Sequence, residues 1–147
     1  MKRFLVLIAA VAFISSASLH GAKEVKLDGV KCPVSGKAVK AEHAVAYKGA
    51  KAFFCCPNCP KAFAGNTAKF AAKANHQLYV TGQASLVACV LTGKKLNAAT
   101  KVEVGGKAVT FCCNGCKGKV LKAEDKVALV FADKTFAKGF KVGADKK

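Results

Sequence analysis

Arginine is all but missing from this chain: among 25 basic residues only Arg3 carries a guanidinium, and the others are lysines. Surfaces that read nucleic acid are built on guanidinium forks for phosphates and base edges, with aromatic rings between them for stacking. Here the lysines are scattered along the whole chain with no basic run longer than two, so a specific nucleic-acid partner is not expected. They read instead as a solvated surface with weak, salt-sensitive attraction to anionic envelope material. Acids are scarce as well, with 8 in total. There is no carboxylate pair, no glycine-rich phosphate loop after a strand, and no histidine near a nucleophile in both halves of the chain, so no enzyme is expected. A comfortable membrane span is also lacking. The apolar run FLVLIAAVAFI is too short for one, and no cysteine follows it closely to carry a lipid. Met1-Lys2-Arg3, that run and the small residues SSAS follow the order of a secretory signal peptide, placed at residues 1–22. The expected mature chain begins between Ser18 and Lys23 and is periplasmic or secreted. With 23 basic residues against 8 acids it carries a net charge of about +15.

What the chain does have is cysteine, eight in all, and every one lies beyond the leader. FCCPNCPKAF, from Phe54 to Phe63, holds three of them, and FCCNGCKGKV, from Phe111 to Val120, repeats all three in register. Shifting the sequence by 57 residues aligns much more without a gap. Cys32 falls on Cys89, Ser35 on Thr92, Gly36 on Gly93 and Gly49 on Gly106, while apolar Val39, Val45, Phe63 and Phe70 fall on Leu96, Val102, Val120 and Val127. Core-type and ligand-type positions repeat together, so the chain is a tandem duplication with units at 23–82 and 83–147.

Each unit reads the same way. CPVSGK and CVLTGK are tight turns, with a Ser or Thr able to bond its own backbone and a Gly free to take positive φ. AVAYKGAKAFFC and KVEVGGKAVTFC alternate about a glycine and predict hairpins. PNCPKAF starts a helix with Pro57 in its first turn, and NTAKFAAKANHQ and AEDKVALVFADK continue as helix; VALVFA is assigned to helix by its register with KFAAKA. LYVTG and TFAKG are expected to close the units as short strands. QASLVACV joins the units without a flexible linker, which predicts two units packed together.

Within a unit the cysteines follow one arithmetic: Cys, twenty-two residues, Cys, three residues, Cys. These are Cys32, Cys55 and Cys59, then Cys89, Cys112 and Cys116. A four-residue step on a helix puts two thiols on one face, the glycine turn delivers the third, and a helix N-terminus favours thiolate. Soft sulfur ligands of this kind suit zinc or copper, about one ion per unit. Two other readings stay open: four disulfides stapling a small exported fold, or a thiol-disulfide redox protein using Cys56-Pro57-Asn58-Cys59 and Cys113-Asn114-Gly115-Cys116. His43 and His76 have Thr100 and Asp133 as counterparts and are read as ordinary histidines.

The pattern CPVSG, a glycine hairpin, aromatic-Cys-x-x-x-Cys and a following Phe resembles the TRASH/YHS family of small metal-binding domains, in two tandem copies over 31–80 and 88–137. The resemblance implies an α+β fold of two treble-clef-like units, each a Cys turn, a β-hairpin and a helix. It also implies coordination by Cys32, Cys55, Cys59 and by Cys89, Cys112, Cys116, in a heavy-metal binding, buffering or delivery protein that meets a metal-transport or envelope partner. The chain departs from the family at Cys56 and Cys113, where many relatives carry a small residue, and at Val120, which replaces the aromatic. The motif leaves the fourth ligand open. If Cys55 and Cys59 share a helix face, Cys56 is turned away by roughly 100°, leaving it and Cys113 as ligands reached through a bend, as redox-sensitive thiols, or as partners of each other across the units.

Overall fold

The computed structural model describes residues 25–143, so the expected leader at residues 1–22 lies outside the described residues. The architecture is α+β. The first unit runs β1 (Lys40–Tyr47), β2 (Ala50–Phe54), α1 (Asn58–Gly65) and α2 (Thr67–Val80), and a short strand β3 (Ala84–Leu86) follows. The second runs β4 (Lys101–Val104), β5 (Lys107–Thr110), α3 (Asn114–Leu121), α4 (Lys126–Phe131), α5 (Asp133–Gly139) and β6 (Phe140–Val142).

The hairpins form where glycine predicts them. Lys48 and Gly49 both take positive φ, at 49° and 77°, and so do Gly105 and Gly106, at 59° and 79°. Two left-handed central residues make the turn whose twist matches that of the flanking strands. Tyr47 therefore pairs with Ala50, and Val104 with Lys107. The cysteine turns are also duplicates: Cys32 N–H donates to Lys37 C=O and Gly36 N–H to Cys32 C=O, just as Cys89 N–H donates to Lys94 C=O and Gly93 N–H to Cys89 C=O.

The closing strands are not where the sequence puts them. Leu78 to Val80 is the last turn of α2, because Leu78 continues the buried face of Ala71 and Ala74, and Gly82, at φ 76°, ends the run. Residues 135–139 belong to α5. The strands come later, at β3 and β6, and they pair with each other: Ala84 with Val142, Ser85 with Lys141, Leu86 with Phe140, so that residues just after the boundary at 82 close against the last described strand. These are counterpart segments under the 57-residue shift, and antiparallel pairing of a segment with its own copy is what a local twofold relation between units produces. The helix expected over AEDKVALVFADK is likewise two helices. Ala132 is extended (φ −53°, ψ 149°) and separates α4 from α5, whereas α2 continues without a break.

One hydrophobic core serves both units. Across the seam Tyr79 of α2 meets Phe131 and Phe140 with ring centroids 5.8 and 5.0 Å apart, and Phe131 stacks on Phe140 at 5.2 Å. A buried polar link runs beside the rings. Tyr47 hydroxyl donates to Asn75 Oδ1 (3.0 Å), Asn75 Nδ2 donates to Phe131 C=O (2.9 Å) and Asp133 Oδ1 (2.8 Å), and Lys48 Nζ reaches the same carboxylate oxygen (2.6 Å). Every polar atom of the fully buried Asn75 side chain is thereby used, as burial demands. Packed units, expected from the linker, are what the structure has.

Gly139 marks a tight point where the segment joining the units packs on the end of α5. Its carbonyl accepts from Val87 N–H and Ala88 N–H, and a Cβ placed there would stand 2.5 Å from Val90 Cγ1 and 2.8 Å from Ala88 C=O. Overpacking against backbone costs roughly 1–3 kcal/mol. Gly139→Ala is therefore expected to lower the unfolding free energy by that amount, seen as a lower urea midpoint at unchanged slope in a single transition shared by both units; a second transition, or no shift, would contradict a shared core.

Candidate metal centre

Each unit brings three sulfur atoms together. The Sγ atoms of Cys32, Cys55 and Cys59 all lie within 4.8 Å of one another, and so do those of Cys89, Cys112 and Cys116. Cys55 and Cys59 approach to 3.6 Å, as do Cys112 and Cys116. In both sets the turn cysteine and the helix cysteine are buried and the middle one is half-buried.

The route to this geometry differs from simple helical spacing. Cys55 and Cys56 lie in the bend between β2 and α1, ahead of the helix, and only Cys59 is helical. Pro57 disfavours helical backbone at the residue before it, so the chain turns here and the Cys59 N–H bonds back to Cys56 C=O at 3.2 Å. The 100° argument for Cys56 therefore does not apply. Its Sγ sits 3.5 Å from that of Cys59, at the edge of the cluster. In the second unit, which has no proline, the helix starts one alignment position earlier. Cys113 is its extended N-cap, exposed, with its sulfur 3.7 Å from Cys112. Each extra thiol thus stands against its own cluster, and all eight cysteines are free.

Hydrogen bonds set the charge of the sulfurs unevenly. Burial pushes the Cys32 thiol up, but the Ser35 hydroxyl and backbone N–H groups at Ser35, Cys55 and Val34 outweigh it and bring it down to about 7. Thr92 and its neighbours do the same for Cys89, against the same burial, down to about 6. Burial and the adjoining thiols push Cys59 and Cys116 up to about 12. That is the opposite of what a helix N-terminus alone would do: withdrawal from water and proton sharing among sulfurs win over the dipole. At the rim, Cys56 is lowered by the Cys59 thiol and the first helical N–H groups, and Cys113 by the Cys116 N–H and the neighbouring thiols.

Several supporting residues were invisible as such in the sequence. Ser35 Oγ lies 3.0 Å from Cys55 Sγ and Thr92 Oγ1 3.2 Å from Cys112 Sγ, so the turn hydroxyls serve the sulfur as well as their own turn. Gln77, fully buried, accepts from Phe53 N–H and donates to Phe53 C=O and Lys31 C=O. It ties the strand leading to Cys55 to the residue before Cys32. Lys134 stands at its counterpart position, and the second unit uses Thr100, whose hydroxyl donates to Phe111 C=O at 2.6 Å. The repeat of Ser35 at Thr92 was the available signal; Gln77 left none. His43 pairs with Glu42 at 3.4 Å, and His76 packs on Phe131 at 4.9 Å; neither joins a sulfur cluster.

The donor set fits a soft ion. Thiolates around tetrahedral zinc, with Zn–S bonds near 2.3 Å, stand ~3.8 Å apart. The 3.5–3.7 Å separations here need little adjustment. The protein is thus an α+β chain of two similar units, each with a cysteine cluster that can hold a metal ion. No family model, curated protein or solved structure matches the chain.

Uptake of a cation must displace the proton that Cys59 or Cys116 holds, so apparent affinity should rise with pH throughout the range 6–9. Cys89 is lowered further than Cys32, so from pH 6 to 7 the first cluster sheds about half a proton more on binding than the second and its affinity climbs slightly more steeply. Zinc competition titrations on variants keeping one cluster should show this difference; parallel curves would refute it.

Proposed function

We propose that this is an exported, non-catalytic heavy-metal protein of the TRASH/YHS type that binds, buffers or delivers a soft or borderline ion, zinc or copper, at about one per unit. The observation that carries the reading is the duplicated cluster of three sulfurs, each set drawn from a turn, a bend and a helix start. The order of turn, hairpin and helix in both units is in keeping with treble-clef-like domains. The leader-like N-terminal segment supports a periplasmic or secreted location, and among the described residues no helix is long and apolar enough to cross a membrane. In this reading a metal-transport or envelope protein receives or supplies the ion, and exposed lysines add weak attraction to anionic surfaces.

Cys56 and Cys113 complete the donor sets in this reading. Cys56 Sγ is one tetrahedral edge from Cys59, and its position outside the helix frees it to swing onto the ion. Metal analysis of protein purified from the exported compartment without reductant is expected to return close to two ions per chain. Metal-free protein without titratable thiols would transfer the case to the disulfide scaffold. Cys59→Ser should abolish retention in the first unit, a loss of several orders of magnitude, because thiolate and geometry go together. Cys56→Ser should weaken it about 10–100-fold, since three thiolates can still ligate with water as the fourth. An unchanged affinity would remove Cys56 from the donor set, and equal loss in both variants would make it an equal ligand.

A further inference from the structure

Between the two units lies a cleft of about 940 Å³ that touches the first sulfur cluster at Cys32 and is otherwise lined by lysines, glycines and a face of α2. One wall is a face of α2 carrying Lys69, Ala72, Lys73 and His76, residues at helical spacing. The opposite wall is the β4–β5 turn with Lys107 and the start of α4, and the N-terminal segment adds Lys26 and Lys31. Five lysines therefore line one volume, with Lys69 Nζ lying over the Phe70 ring at 5.7 Å. Two acids, Asp28 and Asp125, also line it, so five positive charges stand against two negative ones; the Asp125 carboxylate also caps α4, accepting from Ala128 N–H at 2.8 Å. Among the described residues the ion pairs are made by Lys40, His43 and Lys48, none of which lines this cleft. Gly29, Gly36 and Gly106 at its margin face open space, with nothing within 4 Å of where a Cβ would stand. The walls come from both units and are held by the shared core, so the charges are gathered before any ligand arrives.

We propose that this inter-unit cleft is a binding site for a phosphate-bearing anion. Ammonium groups act on phosphate as point charges and need no fixed fork geometry, so a chain nearly without arginine can still build such a site from lysines. Pockets for small molecules span roughly 300–1,000 Å³. The volume here exceeds a single phosphate, and the ligand is therefore a larger soluble phosphate compound or the headgroup of an anionic lipid entering from a membrane surface. The shared chemistry is a multiply charged phosphate held by Lys69, Lys73 and Lys107.

The test compares two charge-matched variants of the full chain, Lys69→Glu/Lys73→Glu in the cleft and Lys134→Glu/Lys141→Glu on exposed positions outside it. One arm titrates inorganic pyrophosphate calorimetrically and maps amide shifts; the other sediments the protein with phosphatidylglycerol-containing and pure phosphatidylcholine vesicles. Expected are one pyrophosphate per chain, shifts at Lys73 and Gly106, and a loss of about tenfold or more confined to the cleft variant, because a charge reversal at close range outweighs an equal reversal far away. The same variant pattern seen only with phosphatidylglycerol vesicles would assign the site to a lipid headgroup. Equal weakening in both variants, shifts scattered over the surface, or no binding of either probe would overturn the proposal. Metal content, measured in parallel, should match the parent protein in both variants, which keeps this outcome separate from that of the sulfur clusters.

Discussion

Three sulfur atoms within 4.8 Å of one another are a poor arrangement for a bare protein: they are large, partly withdrawn from water, and cannot all ionise side by side. The structure answers with protons, leaving the turn cysteines easily ionised and the helix cysteines strongly protonated. The rest of each unit follows from bringing the sulfurs to that point. The left-handed glycine closes the turn around the first, the hairpin returns the chain to the second, and the bend before the helix aims the third. A cation would take the place of the shared protons, so the proximity that holds Cys59 and Cys116 protonated is also what would favour a bound ion.

Two units of this size bury too little apolar surface to stand comfortably alone. Here they solve the problem together. Phe131 and Phe140 of the second unit take Tyr79 of the first into one aromatic layer, and β3 pairs with β6. The duplication has diverged where the halves meet. Asn75 and Gln77 on α2 reach across to the second unit and back to the first cluster, work for which the second unit has no equivalent helix because Ala132 breaks it. The clusters stayed alike while the surfaces between them became different.

That divergence also explains the cleft. α2 is long enough to carry lysines beyond the seam, and the glycine turn of the second hairpin stands opposite, so cationic side chains from distant parts of the chain face one another across an open space. Lysine serves here where arginine would compete for bidentate partners, and the high net charge of the chain is thus distributed between solvation and one gathered group.

The duplication, the hairpins, the turn glycines and the membership of both sulfur sets were legible in the sequence, because each is written in local chemistry repeated at a fixed offset: Gly36 and Gly93 need positive φ wherever they fold, and Cys32, Cys55 and Cys59 recur as Cys89, Cys112 and Cys116. The helical assignment of VALVFA came from the same offset. What it could not contain was decided by contacts between segments far apart. Leu78 to Val80 reads as a strand by its residues but is helix because the shared core takes Leu78 on the face of Ala71 and Ala74. β3 and β6 form because segments more than fifty residues apart offer each other an edge, and a strand's partner is a property of tertiary structure. Cys56 joins the rim of its cluster because the chain bends before Pro57, whereas helical geometry would have turned it away. Gln77 buttresses the site because folding buries it beneath Phe53, where an amide must find three backbone partners or remain unpaired.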